Sequence, residues 1–251
     1  MNITNKTVLI TGGGSGIGFE IAKLLSEKNN QVIITGRSEE RLQKAAAQLK
    51  NVSIIAADIT DEASVEKLVA QINKDYGKLD ILINNAGNAF LNNLGVETNT
   101  YQKAKDEFDT NFFAVLRLTD KLLPVLKAQD EAAIVNVSSI LAYVPAGDIS
   151  TYSASKAALH SYTQSLRFAL QKTTAVKVFE LMPPLVNTDF SKDIGGENGI
   201  HPNVVAQDLI NAFENDEYEV RVGNTAYVYQ LSLTSPAEAF DMMNKRAEAT
   251  A

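Results

Sequence analysis

The chain has 251 residues, a formal net charge of −7 at pH 7 and no cysteine. This length suits one large α/β domain, and the acidic balance argues against a nucleic-acid-binding protein, which needs a basic surface. The lack of cysteine excludes disulfides, thiolate metal sites and cysteine nucleophiles. The first residues lack the apolar core of a signal peptide, and no apolar run is long enough to span a bilayer, so we expect a cytoplasmic protein without membrane insertion.

Short apolar segments alternate with helical periodicities along most of the chain. The predicted strands are Thr7–Thr11, Gln31–Thr35, Val52–Ala57, Leu79–Ile83, Ala132–Val137, Val176–Leu181 and Tyr218–Val222. The predicted helices are Ile17–Lys28, Glu39–Lys50, Glu62–Asp75, Tyr101–Gln129 and Ser150–Gln171. This alternation is typical of βαβ units, and right-handed crossovers then give a doubly wound, Rossmann-type α/β fold with a parallel sheet of about seven strands and helices on both faces. We expect one domain over residues 1–251.

Two regions depart from this rhythm. Residues 187–203 are polar and glycine-rich, which predicts a mobile lid with a helical piece across the mouth of a site. A plain surface loop is the alternative. The C-terminal segment 224–251 carries two short amphipathic patterns, at Ala226–Leu233 and Pro236–Arg246. We expect them to pack on the edge of the domain or on a neighbouring subunit.

A glycine cluster from Gly12 to Gly18 follows the first strand and opens the first helix. Glycines allow a tight turn and a close approach of the backbone to a pyrophosphate, while the helix N-terminus offers free N–H groups to the anion. No Gly-Lys-Ser/Thr follows, so the cluster is not a P-loop. Its position at the first strand–helix turn favours a dinucleotide site over an empty tight turn.

The end of the second strand indicates which dinucleotide is bound. An acidic residue here would hold the ribose 2′-hydroxyl of NAD, but the chain has Gly36 followed by Arg37. A guanidinium suits a 2′-phosphate in charge and geometry. The sequence therefore favours NADP(H) over NAD(H), with a solvated cation at a helix start as the alternative interpretation of Arg37.

Tyr152 and Lys156 are four residues apart and so lie on one face of the predicted helix. A nearby ammonium favours phenolate and can lower the phenol pKa by roughly 1–3 units from about 10. Tyr152 would then serve as general acid in reduction and general base in oxidation. Ser139 lies thirteen residues before Tyr152 and could stabilise developing negative charge on a substrate oxygen.

Together these motifs resemble the classical short-chain dehydrogenase/reductase family over nearly the whole chain. The resemblance rests on the glycine loop Thr11–Gly18, Asp58, the Asn84–Gly87 turn, Asn111, Ser139 and the Tyr152-x-x-x-Lys156 pair. It also includes Pro183 after the sixth strand, with Val186 and Thr188. The tail resembles a bacterial DltE-like subgroup. Such a resemblance implies an oxidoreductase that moves a hydride between a nicotinamide cofactor and a carbonyl or alcohol.

The resemblance implies roles for named residues. Lys156 would bind the nicotinamide ribose, and Asn111 would anchor a water that links Lys156 to solvent. Asp58 would meet the adenine, and Val186 and Thr188 would hold the nicotinamide carboxamide. The full set of expected cofactor-binding residues is Thr11, Gly12, Gly14, Ser15, Gly16, Ile17, Gly18, Arg37, Asp58, Ile59, Asn85, Ala86, Gly87, Tyr152, Lys156, Pro183, Val186 and Thr188.

We expect a largely apolar substrate pocket, which suits a small or medium carbonyl compound or secondary alcohol. Its expected lining is Phe90, Leu141, Tyr143, Pro184 and Phe190. The family usually has glycine at the position of Pro184, so this proline is expected to reshape the nicotinamide side of the pocket. The two histidines, His160 and His201, are predicted to be structural and solvated residues, and no metal site is expected.

Two other functions remain open, a NAD-dependent alcohol dehydrogenase and a non-catalytic nucleotide sensor on the same fold. The family also implies a dimer or tetramer through the helices Tyr101–Gln129 and Ser150–Gln171. Apolar positions on their outer faces suit that contact, namely Phe112, Leu116, Tyr162 and Leu166.

Overall fold

A sheet of seven parallel strands organises the chain, and the computed structural model describes residues 1–96 and 98–245. The strands are β1 Thr7–Thr11, β2 Gln31–Gly36, β3 Val52–Ala56, β4 Ile81–Asn84, β5 Ala132–Val137, β6 Val176–Met182 and β7 Glu219–Arg221. Their order is β3-β2-β1-β4-β5-β6-β7, with parallel register throughout. The predicted doubly wound α/β fold is confirmed.

Helices follow most of the strands. They are α1 Gly16–Ser26, α2 Glu39–Ala46, α3 Glu62–Asp75, α4 Thr100–Phe108, α5 Ala114–Lys127, α6 Ser150–Leu170, α7 Pro202–Asn215, α8 Thr225–Thr234 and α9 Pro236–Asn244. The predicted helix Tyr101–Gln129 is observed as α4 and α5 joined by a π-helical turn, Asp109–Phe113. Helix α7 begins inside the region predicted as a lid, with proline in its first turn.

The strands are apolar on both faces because helices cover both faces. In β1, Leu9 and Ile10 point to opposite sides of the sheet and are both fully buried. Ile10 belongs to the core packed by α1 and α7, and Leu9 to the core packed by α3 and α5. Two cores of this kind leave the carboxyl ends of the strands as the place where polar side chains gather.

The C-terminal helices α8 and α9 pack on the segment between β5 and α6. Val228 and Ala239 are fully buried in a third core, together with Val144 and Ile149. The structure thus packs this tail on its own chain. The last predicted residue of the second tail helix, at position 246, and the following residues lie outside the described part.

The sheet order reverses direction between β1 and β4, which opens a crevice at the carboxyl ends of the central strands. None of the helices in residues 1–96 and 98–245 is both long and apolar enough to cross a lipid bilayer.

Candidate active site

A cleft of about 620 Å³ lies at the carboxyl ends of the strands, from the ends of β2 and β3 to α6. Fifteen of the eighteen expected cofactor residues line it, and the exceptions are Thr11, Gly18 and Val186. The side chain of Thr11 supports the site from below: its hydroxyl oxygen accepts bonds from the amides of Asn85 and Ala86, each 3.0 Å long. Val186 is a buried core residue.

The glycine loop forms one side of the cleft. Gly12 has φ of +66°, a conformation that favours glycine. The N-cap of α1 is Ser15, whose side chain makes no capping bond, and no acidic residue lies in the first turn. The first N–H groups of α1 and the Ser15 hydroxyl therefore suit an anion.

Close packing explains the last glycine of the loop. A Cβ on Gly18 would lie 2.5 Å from both Asn85 Nδ2 and the Gly12 carbonyl oxygen. The Asn85 amide in turn donates to the carbonyl oxygens of Thr11 and Gly12, at 2.9 and 3.3 Å. Gly18 thus lets α1 approach the Asn84–Gly87 turn, which fixes the floor of the cleft.

Two arginines stand at the far end of the cleft. Arg37 lines it as predicted, and Arg41 lines it as well. A Cβ on Gly14 would lie 3.3 Å from Arg41 Cγ, so the Arg41 side chain passes directly over the glycine loop. We missed Arg41 from the sequence. The signal was present: Ser38 caps α2 by accepting a bond from the Arg41 amide, which sets Arg41 one turn from Arg37.

The side chains of Arg37 and Arg41 are both exposed and line the cleft. Arg167 and Arg221 both form ion pairs with Glu219. Within the part of the chain that the structure describes, neither Arg37 nor Arg41 has an ion-pair partner. A pair of free guanidiniums beside an anion-binding helix start suits a phosphorylated ribose.

Asp58 and Ile59 form the wall after β3. The Asp58 carboxylate accepts from the amide and hydroxyl of Thr60, at 2.9 and 2.7 Å. Arg117 of α5 donates to the carbonyl oxygens of Ile59 and Thr60, at 3.3 and 3.0 Å. These bonds fix the turn and leave its edge facing the cleft.

Tyr152 and Lys156 lie at the other end of the cleft, on adjacent turns of α6. The Lys156 ammonium is 5.5 Å from the centroid of the Tyr152 ring and donates to the Val137 carbonyl oxygen at 2.8 Å. Ser139 lies close enough to the Tyr152 phenol to lower its pKa. The structure thus brings together the three side chains that the sequence predicted to act together.

The pKa values differ from the prediction. Burial raises the pKa of the Tyr152 phenol well above its ordinary value; the neighbouring Ser139 lowers this pKa, and Glu107 raises it further. Burial lowers the pKa of Lys156 to about 8, opposed by Glu180. The expected net lowering of the phenol pKa by Lys156 is therefore wrong for this arrangement. The sequence indicated the spacing of the pair but not the extent of its burial.

Asn111 is fully buried in the π-helical turn, a type of distortion that often marks functional sites. Its Oδ1 accepts from the Asn88 amide at 2.8 Å, and its Nδ2 donates to the Asn88 carbonyl oxygen and to Ser155 Oγ, at 2.8 and 2.9 Å. The side-chain amide therefore has protein partners, and the water expected from the resemblance stays a prediction. It fastens the start of the loop after β4 to α6, beside Lys156.

The expected substrate residues do not all face the cleft. Phe190 does: its ring lies 6.1 Å from that of Tyr152, at the mouth. Leu141 is buried in the third core. Tyr143 points away from the cleft, with its phenol oxygen 2.9 Å from Met182 Sδ and 3.2 Å from Arg221 Nε.

Phe90 and Pro184 also lie outside the cleft lining. The Phe90 amide donates to Glu107 Oε1 at 2.8 Å. The ring of Pro184 lies 3.5 Å from where a Cβ on Gly223 would stand, so it packs on the end of β7. Pro183 lines the cleft and Pro184 does not, and the expected reshaping of the nicotinamide side by Pro184 stays a prediction.

The segment 187–203 contributes Thr188, Asp189 and Phe190 to the lining of the cleft. It contains two 3₁₀ turns, Asp189–Ile194 and Gly196–Asn198. A Cβ on Gly16 would lie 3.1 Å from Thr188 Cγ2, so this segment touches the glycine loop. Its mobility stays a prediction.

The histidines differ in their surroundings. His201 caps α7 by accepting from the Asn203 amide at 3.2 Å. His160 is part of a buried polar cluster, with Nδ1 2.9 Å from Glu180 Oε2. The sequence did not single out Glu180, because a charged residue within an otherwise apolar strand shows no periodic signal.

A family model described as short chain dehydrogenase matches residues 6–199. The uncharacterized oxidoreductase DltE of Bacillus subtilis (strain 168) is 42% identical over 200 residues, which cover 80% of this chain and 79% of that protein. The chain belongs to the short-chain dehydrogenase/reductase family. The resemblance to this family and its DltE-like members, drawn from the motifs, is confirmed.

Solved short-chain dehydrogenases share the fold. One from Burkholderia cenocepacia J2315, in complex with NADP, has a TM-score of 0.84 and 26% identity and covers 96% of this chain and 98% of its own. One from Burkholderia phymatum, in complex with NAD, has a TM-score of 0.85 at 20% identity and covers 96% of this chain and 95% of its own. Because these relatives hold different dinucleotides, the choice between NAD and NADP depends on this chain's own residues.

Proposed function

We propose that this short-chain dehydrogenase/reductase is an NADP(H)-dependent oxidoreductase that interconverts a small or medium, largely apolar carbonyl compound and its alcohol. The observation that carries the proposal is a cleft with the guanidiniums of Arg37 and Arg41 at one end and Tyr152 and Lys156 at the other, where Ser139 lies beside Tyr152. The glycine loop and the start of α1 lie between them.

The residues present fit a dinucleotide. Gly12 adopts a positive φ, Ser15 keeps its side chain free of a capping bond, and the first turn of α1 carries no acidic residue. These features would hold the pyrophosphate. Arg37 and Arg41 would hold the 2′-phosphate of the adenosine ribose, and Lys156 would hold the nicotinamide ribose.

When bound, the reduced nicotinamide supplies a hydride to the carbonyl carbon. The chain's own part is proton transfer and orientation. The raised pKa keeps the Tyr152 phenol protonated at neutral pH, the form that donates a proton to the carbonyl oxygen. Ser139 lies beside this phenol and orients the same oxygen.

The apolar character of the substrate is supported chiefly by Phe190, whose ring is 49% exposed at the mouth beside Tyr152. We further propose that the protein is a homo-oligomer. Phe112 and Tyr162 pack edge to face at 6.1 Å on neighbouring helices, and Phe113 beside them is 50% exposed.

The substrate proposal is tested by a panel of ketones, aldehydes and alcohols, with oxidation of NADPH or reduction of NADP followed by absorbance. At least one carbonyl should be reduced, and Tyr152→Phe should abolish that turnover. Tight dinucleotide binding without turnover on any compound would favour a nucleotide sensor and contradict the oxidoreductase proposal.

The cofactor proposal is tested by measuring the affinity of Arg37→Ala and Arg41→Ala for NADPH and NADH. Each guanidinium bond to a charged group contributes about 1.5–3 kcal/mol, so each variant should bind NADPH roughly ten- to a hundredfold more weakly. NADH binding should change little. Unchanged NADPH binding in both variants would contradict the phosphate assignment and favour a NAD-dependent alcohol dehydrogenase.

A further inference from the structure

Glu180 is a fully buried carboxylate to which the proposed chemistry gives no role. It lies in β6, in register with Asn136 of β5, which is in register with Asn84 of β4. Asn84 Nδ2 donates to Asn136 Oδ1, and Asn136 Nδ2 donates to Thr163 Oγ1 of α6, both at 2.9 Å. Glu180 thus continues a polar row that crosses the sheet beneath α6, and Glu219 is the residue in register with it on β7.

Helix α6 faces this row with ionisable side chains on successive turns. Tyr152, Lys156 and His160 follow one another at intervals of four residues and so share one face of the helix. His160 Nδ1 lies 3.0 and 2.9 Å from the two carboxylate oxygens of Glu180. The carboxylate therefore meets the helix one turn beyond Lys156.

The end of β5 connects Glu180 to the site. The Ser138 hydroxyl donates to Glu180 Oε1, and the preceding carbonyl oxygen, that of Val137, accepts from the Lys156 ammonium at 2.8 Å. Ser139 follows directly. Consecutive residues of one strand end thus carry the Lys156 contact, the Glu180 contact and the serine of the proposed site.

Burial makes the charge of Glu180 significant for Lys156. The Lys156 side chain is 4% exposed and Glu180 is 0% exposed, so neither charge is well screened by water. Burial lowers the pKa of Lys156, and the Glu180 charge raises it. An opposite buried charge is what such an ammonium needs in order to persist near neutral pH.

Other ionisable groups pack around the cluster, and each has a different principal contact. Glu219 is paired with arginines. The Tyr143 phenol contacts Arg221, and Glu107 acts on Tyr152. Tyr143 follows β5, Glu219 and Arg221 lie on β7, and the charges of both Glu180 and Glu219 act on Tyr143.

We propose that Glu180 is a positioning residue that keeps Lys156 in its ammonium form, while its contacts with Ser138 and His160 hold the strand end that carries Ser139. This inference rests on the proposed function, because it assumes that the Lys156 ammonium binds the dinucleotide. In practical terms, Glu180 sets the upper pH limit of cofactor binding.

The test is the pH dependence of the dissociation constant for NADPH, measured by fluorescence between pH 6 and pH 9. Loss of an opposing charge should move the Lys156 pKa down by about 1 unit in Glu180→Gln. The fraction of ammonium at pH 8 then falls from about one half to about one tenth, so binding weakens about fivefold there and stays nearly unchanged at pH 6. Glu180→Met, a neutral variant of similar volume, should show the same displacement and replaces Glu180→Gln if the latter does not fold.

Glu219→Gln is the matched control, because it removes a carboxylate from the next strand without facing Lys156. Its binding profile should superimpose on that of the wild type. Equal weakening at every pH in Glu180→Gln, or a profile identical to the wild type, would overturn the inference and leave Glu180 a purely structural residue.

A second measurement separates this inference from the proposed function. If the wild type binds neither NADPH nor NADH, the proposed function fails, but the Lys156 pKa can still be read from stability. The free energy of unfolding should begin to rise near pH 8 in the wild type and about 1 unit lower in Glu180→Gln or Glu180→Met. If the free energy of unfolding begins to rise at the same pH in wild type and variant, the role of Glu180 is contradicted by a measurement that needs no cofactor.

Discussion

Replacing Lys156 by methionine should stabilise the protein while abolishing its chemistry. Lys156 is buried, and its ammonium makes one hydrogen bond, to the Val137 carbonyl oxygen. Methionine has a similar length and carries no charge. A buried charge at a functional position serves activity but lowers the stability of the folded protein, so its removal can raise stability while it abolishes activity.

The size of the effect follows from the pKa. Burial lowers the pKa of Lys156 from 10.5 to about 8, and this difference of about 2.5 units corresponds to about 3 kcal/mol. The unfolded chain keeps the proton up to its higher pKa, so the cost is fully present below pH 8 and is removed as the pH rises from 8 to 10.5. Loss of the hydrogen bond to Val137 costs about 1 kcal/mol. The net gain for Lys156→Met is therefore about 2 kcal/mol at pH 6.5, or roughly 4–8 °C in Tm.

Urea unfolding of wild type and Lys156→Met at pH 6.5 and pH 9.5 tests this reasoning. At pH 9.5 the wild-type lysine is already neutral in the folded protein and has recovered about 2 kcal/mol, so the advantage of methionine should nearly vanish. Lys44→Met, at a side chain that is 74% exposed, should change stability by less than about 0.5 kcal/mol at either pH. A gap between wild type and Lys156→Met that is the same at both pH values would refute the assigned burial cost.

Two further predictions concern the glycine loop and the outer surface. Gly18→Ala should lower stability by about 1–3 kcal/mol and weaken dinucleotide binding, because its Cβ would lie 2.5 Å from Asn85 Nδ2; calorimetry showing an unchanged Tm would contradict the close packing. Phe113→Asp should convert the oligomer to monomer in light scattering at micromolar concentration. Phe240→Asp, at a ring of similar exposure on α9, should not, and a monomeric wild type would remove the proposed interface.

The sheet could be predicted from the sequence because each strand and helix is indicated by residues that are close together in the chain. Short β-branched runs such as Ala132–Val137 appear as strands with the predicted bounds, and Glu62–Asp75 appears as a helix with the predicted bounds. The spacing of apolar residues within a short stretch of sequence distinguishes helices from strands. The same reasoning placed the glycine loop at the first strand–helix turn.

The features of the site that were not predicted depend on packing between distant elements, which the spacing of residues along the sequence does not reveal. The π-helical turn around Asn111 interrupts a helix whose apolar pattern continues. Tyr143 follows Ser139 closely in sequence, yet its ring packs 5.0 Å from that of His160, under the loop and away from the cleft. The burial of Lys156, which sets its pKa, arises from elements far apart in the chain. Orientation and burial are therefore the parts of the site that needed the structure.

The most direct test of the proposed chemistry is a single turnover with NADPH deuterated at the transferable position of its nicotinamide, using the carbonyl compound that the panel identifies. Mass spectrometry of the product alcohol should show one deuterium on the former carbonyl carbon. Tyr152→Phe should bind NADPH as tightly as the wild type and yet form product at least about a hundredfold more slowly. Product without deuterium, or a Tyr152→Phe rate within a few-fold of the wild type, would contradict hydride transfer assisted by this phenol.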